Sequence, residues 1–311
     1  VPDRDLILVL TPDEEKSGLL GAEWLVQNHR DLIDAAFAIN EGGGGTLKDG
    51  KPFLQAVQAT EKAFTDFTLT VKNRGGHSSV PRPDNAIYQL ANGLVKLEHF
   101  AFPVMLNDVT RAFFSGTAAI ESPVNAAAMR ALLKNPNDAA AAATLSRDPR
   151  YNSMLRTTCV ATLLHGGHAD NALPQSATAT VNCRIFPGVQ PPEVQAELQK
   201  LVGPKVEVKP DPNYIGQPTP ASPLRPDVVA AVNNAVHKVI GSDMEVYPEM
   251  STGASDGSFF RAQGIPVYDI DGSWGISPID ERAHGLDERI PVRAMYDDVV
   301  YWTMIFKSLA G

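Results

Sequence analysis

The stretch that decides the fold reads Leu6-Ile7-Leu8-Val9-Leu10-Thr11-Pro12-Asp13-Glu14-Glu15, an apolar run that ends in three consecutive carboxylates. A short apolar run of this kind is typical of a buried strand in a mostly parallel sheet. The carboxylates then lie at the carboxyl end of the strand, where open α/β sheets bind their ligands. Because adjacent carboxylates repel each other, a fold that gathers them neutralises them with a cation or a proton. On this stretch alone, a solvated acidic turn is an equally good interpretation.

A second apolar run follows a short helical segment. Residues 22–29 have helical periodicity, and residues 35–39 predict a strand that ends in Asn40-Glu41, followed by four glycines. A right-handed βαβ connection brings the ends of both strands to one edge of the sheet, so we expect Glu15 and Glu41 to approach one another. The glycines allow a ligand to come close to the backbone. They lack the spacing and the Lys-Ser/Thr of a phosphate loop, which argues against nucleotide binding.

The middle of the chain predicts the order β-α-β-β-α-β. The expected elements are strands at 64–71, 157–164, 176–185 and 206–208 and helices at 85–98 and 191–201. This is the split βαβ order of a ferredoxin-like sandwich, interrupted by an alanine-rich helical insertion between residues 100 and 150. A helix at 226–240, a strand at 265–270 and a helix at 292–309 then resume the α/β pattern. We therefore predict one domain from residues 1–61 and 212–311, with residues 62–211 inserted into it.

Length, charge and cysteine content limit the class of protein. A chain of 311 residues predicts two domains. The net charge of -9 and the lack of a Lys/Arg-rich run argue against nucleic-acid binding. No apolar stretch approaches the length of a membrane span. Cys159 and Cys183 lie in strand-like runs, and we interpret them as buried free thiols. No signal peptide is visible, and Val1-Pro2 leads almost directly into the first apolar run, so we expect the natural N-terminus upstream and leave the localisation open.

Two of the histidines suit a functional site. His77 lies between a glycine and a serine at the end of a predicted strand, and His284 lies in a polar loop before the last helix. His165 and His168 are a weaker metal candidate with Asp170, because their strand-turn-strand setting favours an ordinary loop. The chain has no G-x-S-x-G elbow, and neither cysteine begins a helix. Nucleophilic catalysis by serine or cysteine therefore lacks support.

Six motifs, taken together, carry a family resemblance. They are Asp13-Glu14-Glu15 with Gly18 and Gly21-Ala22, Asn40-Glu41-Gly42-Gly43, Gly75-Gly76-His77-Ser78-Ser79, Asn171-Ala172-Leu173-Pro174 with Arg184, Gly253-Ala254-Ser255-Asp256, and Ala283-His284-Gly285. In this order they resemble the dinuclear zinc exopeptidases of the aminoacylase and carboxypeptidase family, peptidase family M-twenty. The insertion after residue 100 resembles the carboxypeptidase S branch of that family. The resemblance covers nearly the whole chain and implies an α/β/α catalytic domain with an inserted ferredoxin-like lid and dimerisation domain.

The resemblance also implies an activity, a cofactor and residue roles. The activity is hydrolysis of the amide bond of N-acyl amino acids or small peptides with two zinc ions. Glu14 is implied as the general base that takes a proton from metal-bound water. Glu15 and His284 are implied as ligands of one zinc and Glu41 as a ligand of the other, and these residue types suit zinc. His77 is implied to stabilise the oxyanion in the active site of a partner subunit, so a homodimer is expected.

Further residues are implied to hold the substrate. Asn171 and Arg184 would bind its terminal carboxylate, Arg184 through a two-pronged contact. For Arg184, an exposed strand charge is the alternative interpretation. Gly253 is implied to contact the substrate, and Asp256 is expected to order the loop around the site rather than to bind metal.

The sequence departs from the family in one respect. The family takes two more ligands, a histidine in a His-x-Asp motif and a bridging aspartate, from segments upstream of the Asp-Glu-Glu strand, and neither motif occurs here. A catalytic zinc site normally has three protein ligands, so we expect this chain alone to bind zinc poorly and to be inactive, as a truncated form would be. We also expect part of its sheet to be unpaired. The alternative is a non-catalytic remnant that dimerises or binds a ligand.

Overall fold

The structure is a computed structural model that describes residues 2–216, 218–241, 243–280, 282–283 and 285–311. The predicted zinc ligand His284 lies outside these residues. The α-helices are α1 (Trp24–Asn28), α2 (Ala86–Glu98), α3 (Asp108–Thr117), α4 (Pro123–Lys134), α5 (Ala139–Leu145), α6 (Pro149–Leu155), α7 (Pro191–Val202), α8 (Pro226–Val239), α9 (Gly257–Ala262) and α10 (Val292–Ala310). Among the described residues, none of these helices combines the length and the apolar character that a membrane crossing requires.

The strands follow the same numbering along the chain. They are β1 (Ala38–Asn40), β2 (Gly44–Lys48), β3 (Lys51–Glu61), β4 (Ala63–Lys72), β5 (Gly76–His77), β6 (Thr158–Gly166), β7 (Ala172–Leu173), β8 (Ser176–Ile185), β9 (Glu207–Ile215), β10 (Glu245–Ser251), β11 (Val267–Asp269) and β12 (Trp274–Ser277). A π-helical turn (Leu19–Glu23) precedes α1, and a 3₁₀ turn (Arg30–Leu32) follows it.

The chain divides into two compact units. Unit 1 contains Val1–Glu61, Leu106–Leu155 and Thr219–Gly311, and unit 2 contains Lys62–Met105 and Arg156–Pro218. Both this division and the sequence prediction place a boundary after residue 61. They differ at residues 106–155, which the sequence assigned to the inserted domain and which here belong to unit 1. They also differ at residues 212–218, which belong to unit 2. The catalytic and lid roles of the two units stay predictions.

Unit 1 is built on a sheet organised around β3. This strand pairs antiparallel with β2 and parallel with β10, while β1 and β11 pair parallel to one another. Residues 54–61 are buried on both faces of the strand, yet they include Gln55, Gln58, Thr60 and Glu61. Sequence analysis missed β3 because these polar side chains interrupt the apolar pattern that marks a buried strand.

The predicted first strand is wrong. Residues 6–10 form no strand in the described structure, and Leu8 and Leu10 are 84% and 85% exposed. An extended segment becomes a strand only when a neighbouring strand supplies its hydrogen bonds. No partner for this segment is present among the described residues. The apolar run alone therefore did not determine its structure.

Helices cover the sheet of unit 1. The helices α8 and α10 pack on one another in a core that includes Val232, Val236, Tyr268, Tyr301 and Ile305. The insertion also packs here, because α3 lies on β10. Gly116 of α3 permits this contact, since a Cβ at that position would lie 2.2 Å from the ring of Tyr247 in β10.

Unit 2 is an α/β sandwich. Its antiparallel sheet has the order β6-β8-β4-β9, and the helices α2 and α7 pack on it. Alternate residues of β4 and β8 face the core, among them Phe67, Leu69, Val181 and Ile185. The period-two pattern that predicted these strands is therefore confirmed, as is the order of a split βαβ sandwich.

Cys159 and Cys183 form a disulfide rather than two free thiols. They face one another directly in the register of β6 and β8, with their Cα atoms 4.1 Å apart. The prediction of free thiols was wrong because it treated each strand separately. Only the pairing of the two strands brings the sulfur atoms together.

We expect this disulfide to stabilise unit 2. The variant Cys159→Ala/Cys183→Ala should lose about 2–4 kcal/mol in the free energy of unfolding, because the bridge closes a loop of 24 residues in the unfolded chain. Urea denaturation with and without dithiothreitol measures the effect. The double variant, which has no bridge to reduce, serves as the control and should not respond to dithiothreitol. Equal midpoints for the oxidised and reduced wild-type protein would contradict the prediction.

Candidate active site

The loop after β1 places Glu41 at the edge of the sheet of unit 1. Gly42, Gly43 and Gly44 follow it with φ angles of 125°, 77° and 87°. A Cβ on Gly43 would lie 2.7 Å from the carbonyl oxygen of Ala56, so only glycine fits there without strain. The loop is thereby held against the sheet, and Glu41 follows directly on the carboxyl end of a parallel strand, as the sequence predicted.

Glu41 lies in a field of negative charge. Burial, together with the nearby carboxylates of Glu14, Asp269, Asp271 and Asp256, raises the pKa of Glu41 to about 7. Such mutual repulsion is relieved by a proton or by a cation. The sequence predicted that Glu15 would approach Glu41, whereas the carboxylate of the acidic stretch that acts on Glu41 is that of Glu14. Glu15 is exposed in the same turn.

A buried arginine neutralises two carboxylates next to this edge. Arg261 of α9 is 2% exposed, and its guanidinium lies 2.7 Å from Glu61 Oε2 and 3.2 Å from Asp269 Oδ2. Ser255 Oγ donates to Glu61 at 2.8 Å, and Asn40 Nδ2 donates to Asp269 at 2.9 Å. Burial raises the pKa of both carboxyls, and the charge of Arg261 opposes that shift. The cluster joins the ends of β1, β3 and β11.

Asp256 connects the acidic turn to the C-terminal part of unit 1. Thr11 Oγ1 donates to Asp256 Oδ2 at 2.6 Å, and burial raises the pKa of Asp256. Within the turn itself, Ser17 Oγ donates to Asp13 Oδ2 at 2.7 Å. Asp256 thus contacts the segment that leads into Glu14, and its ordering role stays a prediction.

The described residues do not assemble a complete metal site. They contain no group of three or more His, Cys, Asp or Glu side chains placed to hold a metal ion. Of the predicted ligands, Glu41 lies in the carboxylate field, Glu15 lies in an exposed turn, and His284 is not described. The residue types suit zinc, but this part of the chain does not supply enough ligands.

The predicted residues of unit 2 lie on its sheets. His77, in β5, is exposed, and its Nδ1 lies 2.8 Å from Ser79 Oγ. Asn171 precedes β7, and its carbonyl oxygen accepts a hydrogen bond from the Ser78 amide at 2.9 Å. These two predicted residues are therefore joined through one short two-stranded sheet.

Arg184 lies in β8. Its Nε donates to Asn182 Oδ1 at 3.2 Å, and its guanidinium lies over the ring of Phe64. Burial lowers the pKa of Arg184, and Asp66 opposes that shift. The guanidinium is therefore partly buried, with an aromatic ring against one face, and this differs from an exposed strand charge.

A pocket of about 320 Å³ lies beside Glu41. Its walls include Gln58 of β3, Arg150 of α6 and Glu249 of β10. Gly253, predicted to contact substrate, belongs to the loop that borders the pocket, and its amide donates to Ser251 Oγ at 3.1 Å.

Sequence reasoning missed the residues that are buried around Glu41. Asp269 ends a short apolar strand, which is the signal that identified Glu41, so it could have been found. Arg261 and Glu61 gave no such signal, because a charge in a helix or at the end of a polar strand is common at surfaces. Arg150 lies in the segment that the sequence assigned to the other domain, and Glu249 lies in a strand that it did not predict.

Comparisons with known proteins identify the family. The sequence model of Peptidase family M20/M25/M40 matches residues 1–308. The chain therefore belongs to this peptidase family. The resemblance inferred from the six motifs is confirmed, and so is the α/β fold class.

Curated relatives and solved structures extend the comparison. The chain is 28% identical over 312 residues to human N-fatty-acyl-amino acid synthase/hydrolase PM20D1. The alignment covers 97% of this chain and 61% of that protein. It is 24% identical to the probable carboxypeptidase S-like 2 of Dictyostelium discoideum, over 99% of this chain and 60% of that protein. The chain thus spans about three-fifths of the length of these curated relatives.

The fold resembles solved structures of the family. The M20 family metallo-carboxypeptidase Sso-CP2 of Sulfolobus solfataricus superimposes with a TM-score of 0.64 at 20% identity, over 95% of this chain and 68% of that one. Human carnosine dipeptidase 1 gives a TM-score of 0.60 at 13% identity, over 95% of this chain and 64% of that one. At these identities the structures establish the fold alone.

We expect Arg261→Met to destabilise unit 1 by about 3–5 kcal/mol, because it leaves two buried carboxylates without their cation. Buried carboxyls with raised pKa values bind more protons in the folded than in the unfolded state, so stability falls as the pH rises above about 4. The loss should therefore be larger at pH 8 than at pH 5, as measured by urea denaturation.

Arg30→Met is the matched control for this experiment. Arg30 lies 2.8 Å from Asp34, with 35% and 75% of the two side chains exposed, and solvent-exposed pairs contribute less than about 1 kcal/mol. A loss in Arg261→Met no larger than in this control would show that the cluster does not hold the strand ends together.

Proposed function

We propose that the complete protein that contains this chain is a zinc-dependent hydrolase of the amide bond in N-acyl amino acids or small peptides. The observation that carries the proposal is the concentration of carboxylates around Glu41 at the carboxyl ends of the strands of unit 1. Open α/β sheets bind ligands at this edge. Membership of the peptidase family and the likeness to an N-fatty-acyl-amino acid hydrolase support the reaction class.

We assign zinc to Glu15, Glu41 and His284. When bound, zinc polarises the scissile carbonyl and lowers the pKa of a water molecule. The raised pKa of Glu41 supports a cation at this position, because a bound cation would relieve the repulsion among the carboxylates.

Glu14 is proposed as the group that moves the proton. It lies close enough to Glu41 for their charges to interact, and the contact between Thr11 and Asp256 restrains the segment from which it projects. In this role Glu14 takes a proton from the attacking water and passes it to the nitrogen of the leaving amine. An amine leaves more readily when it is protonated, so the same carboxylate serves both halves of the reaction.

Arg184 and Asn171 are proposed to bind the terminal carboxylate of the substrate. The guanidinium of Arg184 stays charged at any physiological pH and can form a two-pronged contact. The ring of Phe64 on one side restricts its motion, which lowers the entropy lost on binding. Gly253 is proposed to contact the substrate through its backbone, at the border of the pocket beside Glu41.

The number of assigned zinc ligands limits how well the 311-residue chain alone can bind zinc. The chain offers Glu15 and His284 to one zinc and Glu41 alone to the other, whereas a catalytic zinc site normally has three protein ligands, so we propose that the 311-residue chain alone binds zinc weakly and is inactive. The same observation favours a second candidate function, that of a non-catalytic remnant that binds a ligand or dimerises. Zinc content separates the two. A hydrolase in its complete form holds zinc stoichiometrically, and a remnant does not.

Two copies are proposed to pair through unit 2, with His77 of each serving the site of the other. The strand β6 lies at the edge of its sheet, and Val160, Leu163 and Leu164 on it are 59%, 56% and 65% exposed. An edge strand with exposed apolar side chains favours pairing with another chain.

In the complete protein, we expect Glu14→Gln to lower kcat for an N-acyl amino acid by about 10²–10⁴-fold, because the amide cannot accept the proton. Its zinc content, measured by inductively coupled plasma mass spectrometry, should equal that of the wild type. Glu23→Gln, which changes a carboxylate that has no assigned role, is the control.

The same zinc measurement on the 311-residue chain should give well below one zinc per chain after dialysis. An unchanged kcat in Glu14→Gln would show that Glu14 is not the general base. A complete protein without zinc would favour the remnant.

We expect the chain to sediment as a dimer and Leu163→Lys to sediment as a monomer, because a buried ammonium would have to lose its water at the interface. Sedimentation equilibrium measures both. Leu286→Lys, at a leucine of unit 1 that is 91% exposed, is the control and should remain dimeric. A monomeric wild-type chain would refute the trans role of His77.

A further inference from the structure

Lys62 is a buried basic side chain that the proposed reaction does not use. The residue directly precedes β4 in unit 2 and is 0% exposed. Its Nζ donates to Thr158 Oγ1 at 3.3 Å, which is the one hydrogen bond that this side chain makes among the described residues. An ammonium group has three N–H donors, so a charged Lys62 leaves donors unpaired in this part of the chain. Burying such a group is costly, and its position therefore calls for an explanation.

The Lys62 side chain lies near that of Arg184. Its hydrogen-bond partner Thr158 is directly opposite Arg184 in the register of β6 and β8. Residues that are opposite in an antiparallel pair project from the same face of the sheet, with their Cβ atoms about 5 Å apart. On the other side of Arg184, Phe64 of β4 is its direct partner, and its ring centre lies 5.3 Å from the guanidinium. Lys62 and Arg184 therefore share one end of the sheet of unit 2.

The charges that act on Lys62 in the described structure are both positive. They belong to Arg184 of β8 and to Arg156, which lies between α6 and β6. Burial, together with these two charges, lowers the pKa of Lys62 to about 7. The carboxylate of Asp66 acts on Arg184, and the part of the chain that the structure describes places no carboxylate charge on Lys62. A change in the charge beside Lys62 therefore decides whether the amine is protonated near neutral pH.

We propose that Lys62 takes up a proton when a carboxylate binds to Arg184, so that binding of the anionic end of the substrate is coupled to pH. The proton passes from the solvent to the lone pair of Nζ, and no covalent bond to the ligand forms. The inference rests on the proposed function, which assigns the terminal carboxylate of the substrate to Arg184. It adds Lys62 as a positioning residue that responds to the charge of the ligand.

The physical reason is that Arg184 and a carboxylate bound to it act on Lys62 from nearly the same place with opposite charges. The guanidinium alone favours the neutral amine. A bound carboxylate cancels this repulsion, and its own negative charge favours the ammonium form. By linkage, the protonated chain binds the carboxylate more tightly than the neutral one. Binding is therefore tightest below about pH 7 and weakens as the pH rises through that value.

The test compares N-acetyl-phenylalanine with N-acetyl-phenylalaninamide, which differ in the negative charge at the terminus. Their Kd values for the 311-residue chain are measured by ligand-observed NMR from about pH 6 to about pH 8.5, with EDTA present so that no metal contributes. The carboxyl of the acid stays ionised over this range. We expect the Kd of the acid to rise about five- to tenfold with pH, since a nearby opposite charge favours the protonated amine by about an order of magnitude. The Kd of the amide should stay constant.

Lys62→Met removes the titrating amine and keeps a side chain of similar length. The acid should then bind with a Kd that does not change with pH and that is close to the wild-type value at the alkaline end. A purely structural role of Lys62 would instead change the Kd of both ligands and leave the pH dependence of the acid in place. Lys72→Met is the matched control, because Lys72 is exposed at the far end of β4, and it should keep the wild-type pH dependence.

If Lys62→Met does not fold, Lys62→Arg provides the same information. A guanidinium is charged at every pH in the range, so the acid should bind this variant with a Kd that is independent of pH.

A wild-type chain that binds the acid equally well at both ends of the pH range, or that binds neither ligand, would overturn the inference. So would a pH dependence that persists in Lys62→Met, because it would then arise from another group such as Glu41. These outcomes are independent of the proposed hydrolysis, which is tested by the kcat of Glu14→Gln in the zinc-loaded complete protein.

Discussion

The site depends on a single buried cation, Arg261, shared by Glu61 and Asp269. These carboxylates end β3 and β11, and Asn40 at the end of β1 donates to Asp269. Without the guanidinium, two negative charges would be buried at the place where three strands meet, and desolvation would make that arrangement expensive. The arginine therefore allows the strand ends to come together. Glu41 follows Asn40 directly in the chain, next to the strand ends that this contact joins.

The same cation leaves the site with an excess of negative charge. Arg261 balances one of the two carboxylates that it touches, and Glu14, Glu41 and Asp256 add more. The pKa of Glu41, raised to about 7, records the cost of this arrangement. A cation bound at this edge would relieve the repulsion among the carboxylates, which is the physical basis of the zinc site that we propose here.

The segment that was predicted to belong to the inserted domain packs with unit 1 instead. By its contacts, the segment 106–155 belongs with the sheet of unit 1, and it supplies Arg150 and Met154 to the wall beside Glu41. The walls of the pocket beside Glu41 therefore come from the sheet and from the insertion, two segments that lie far apart in the sequence.

The sequence by itself determined whatever depends on neighbouring residues. Alternation in residues 64–71 and 176–185 identified β4 and β8, and a carboxylate after an apolar run identified Glu41 together with the family motifs. Tertiary structure alone decided the rest, because each remaining feature joins residues that are distant in the chain. Glu61 meets Arg261, Arg150 meets Glu249, and Cys159 meets Cys183 only through pairing that no local pattern encodes. Residues 6–10 show the converse, since an ideal strand pattern forms no strand without a neighbour to accept its hydrogen bonds.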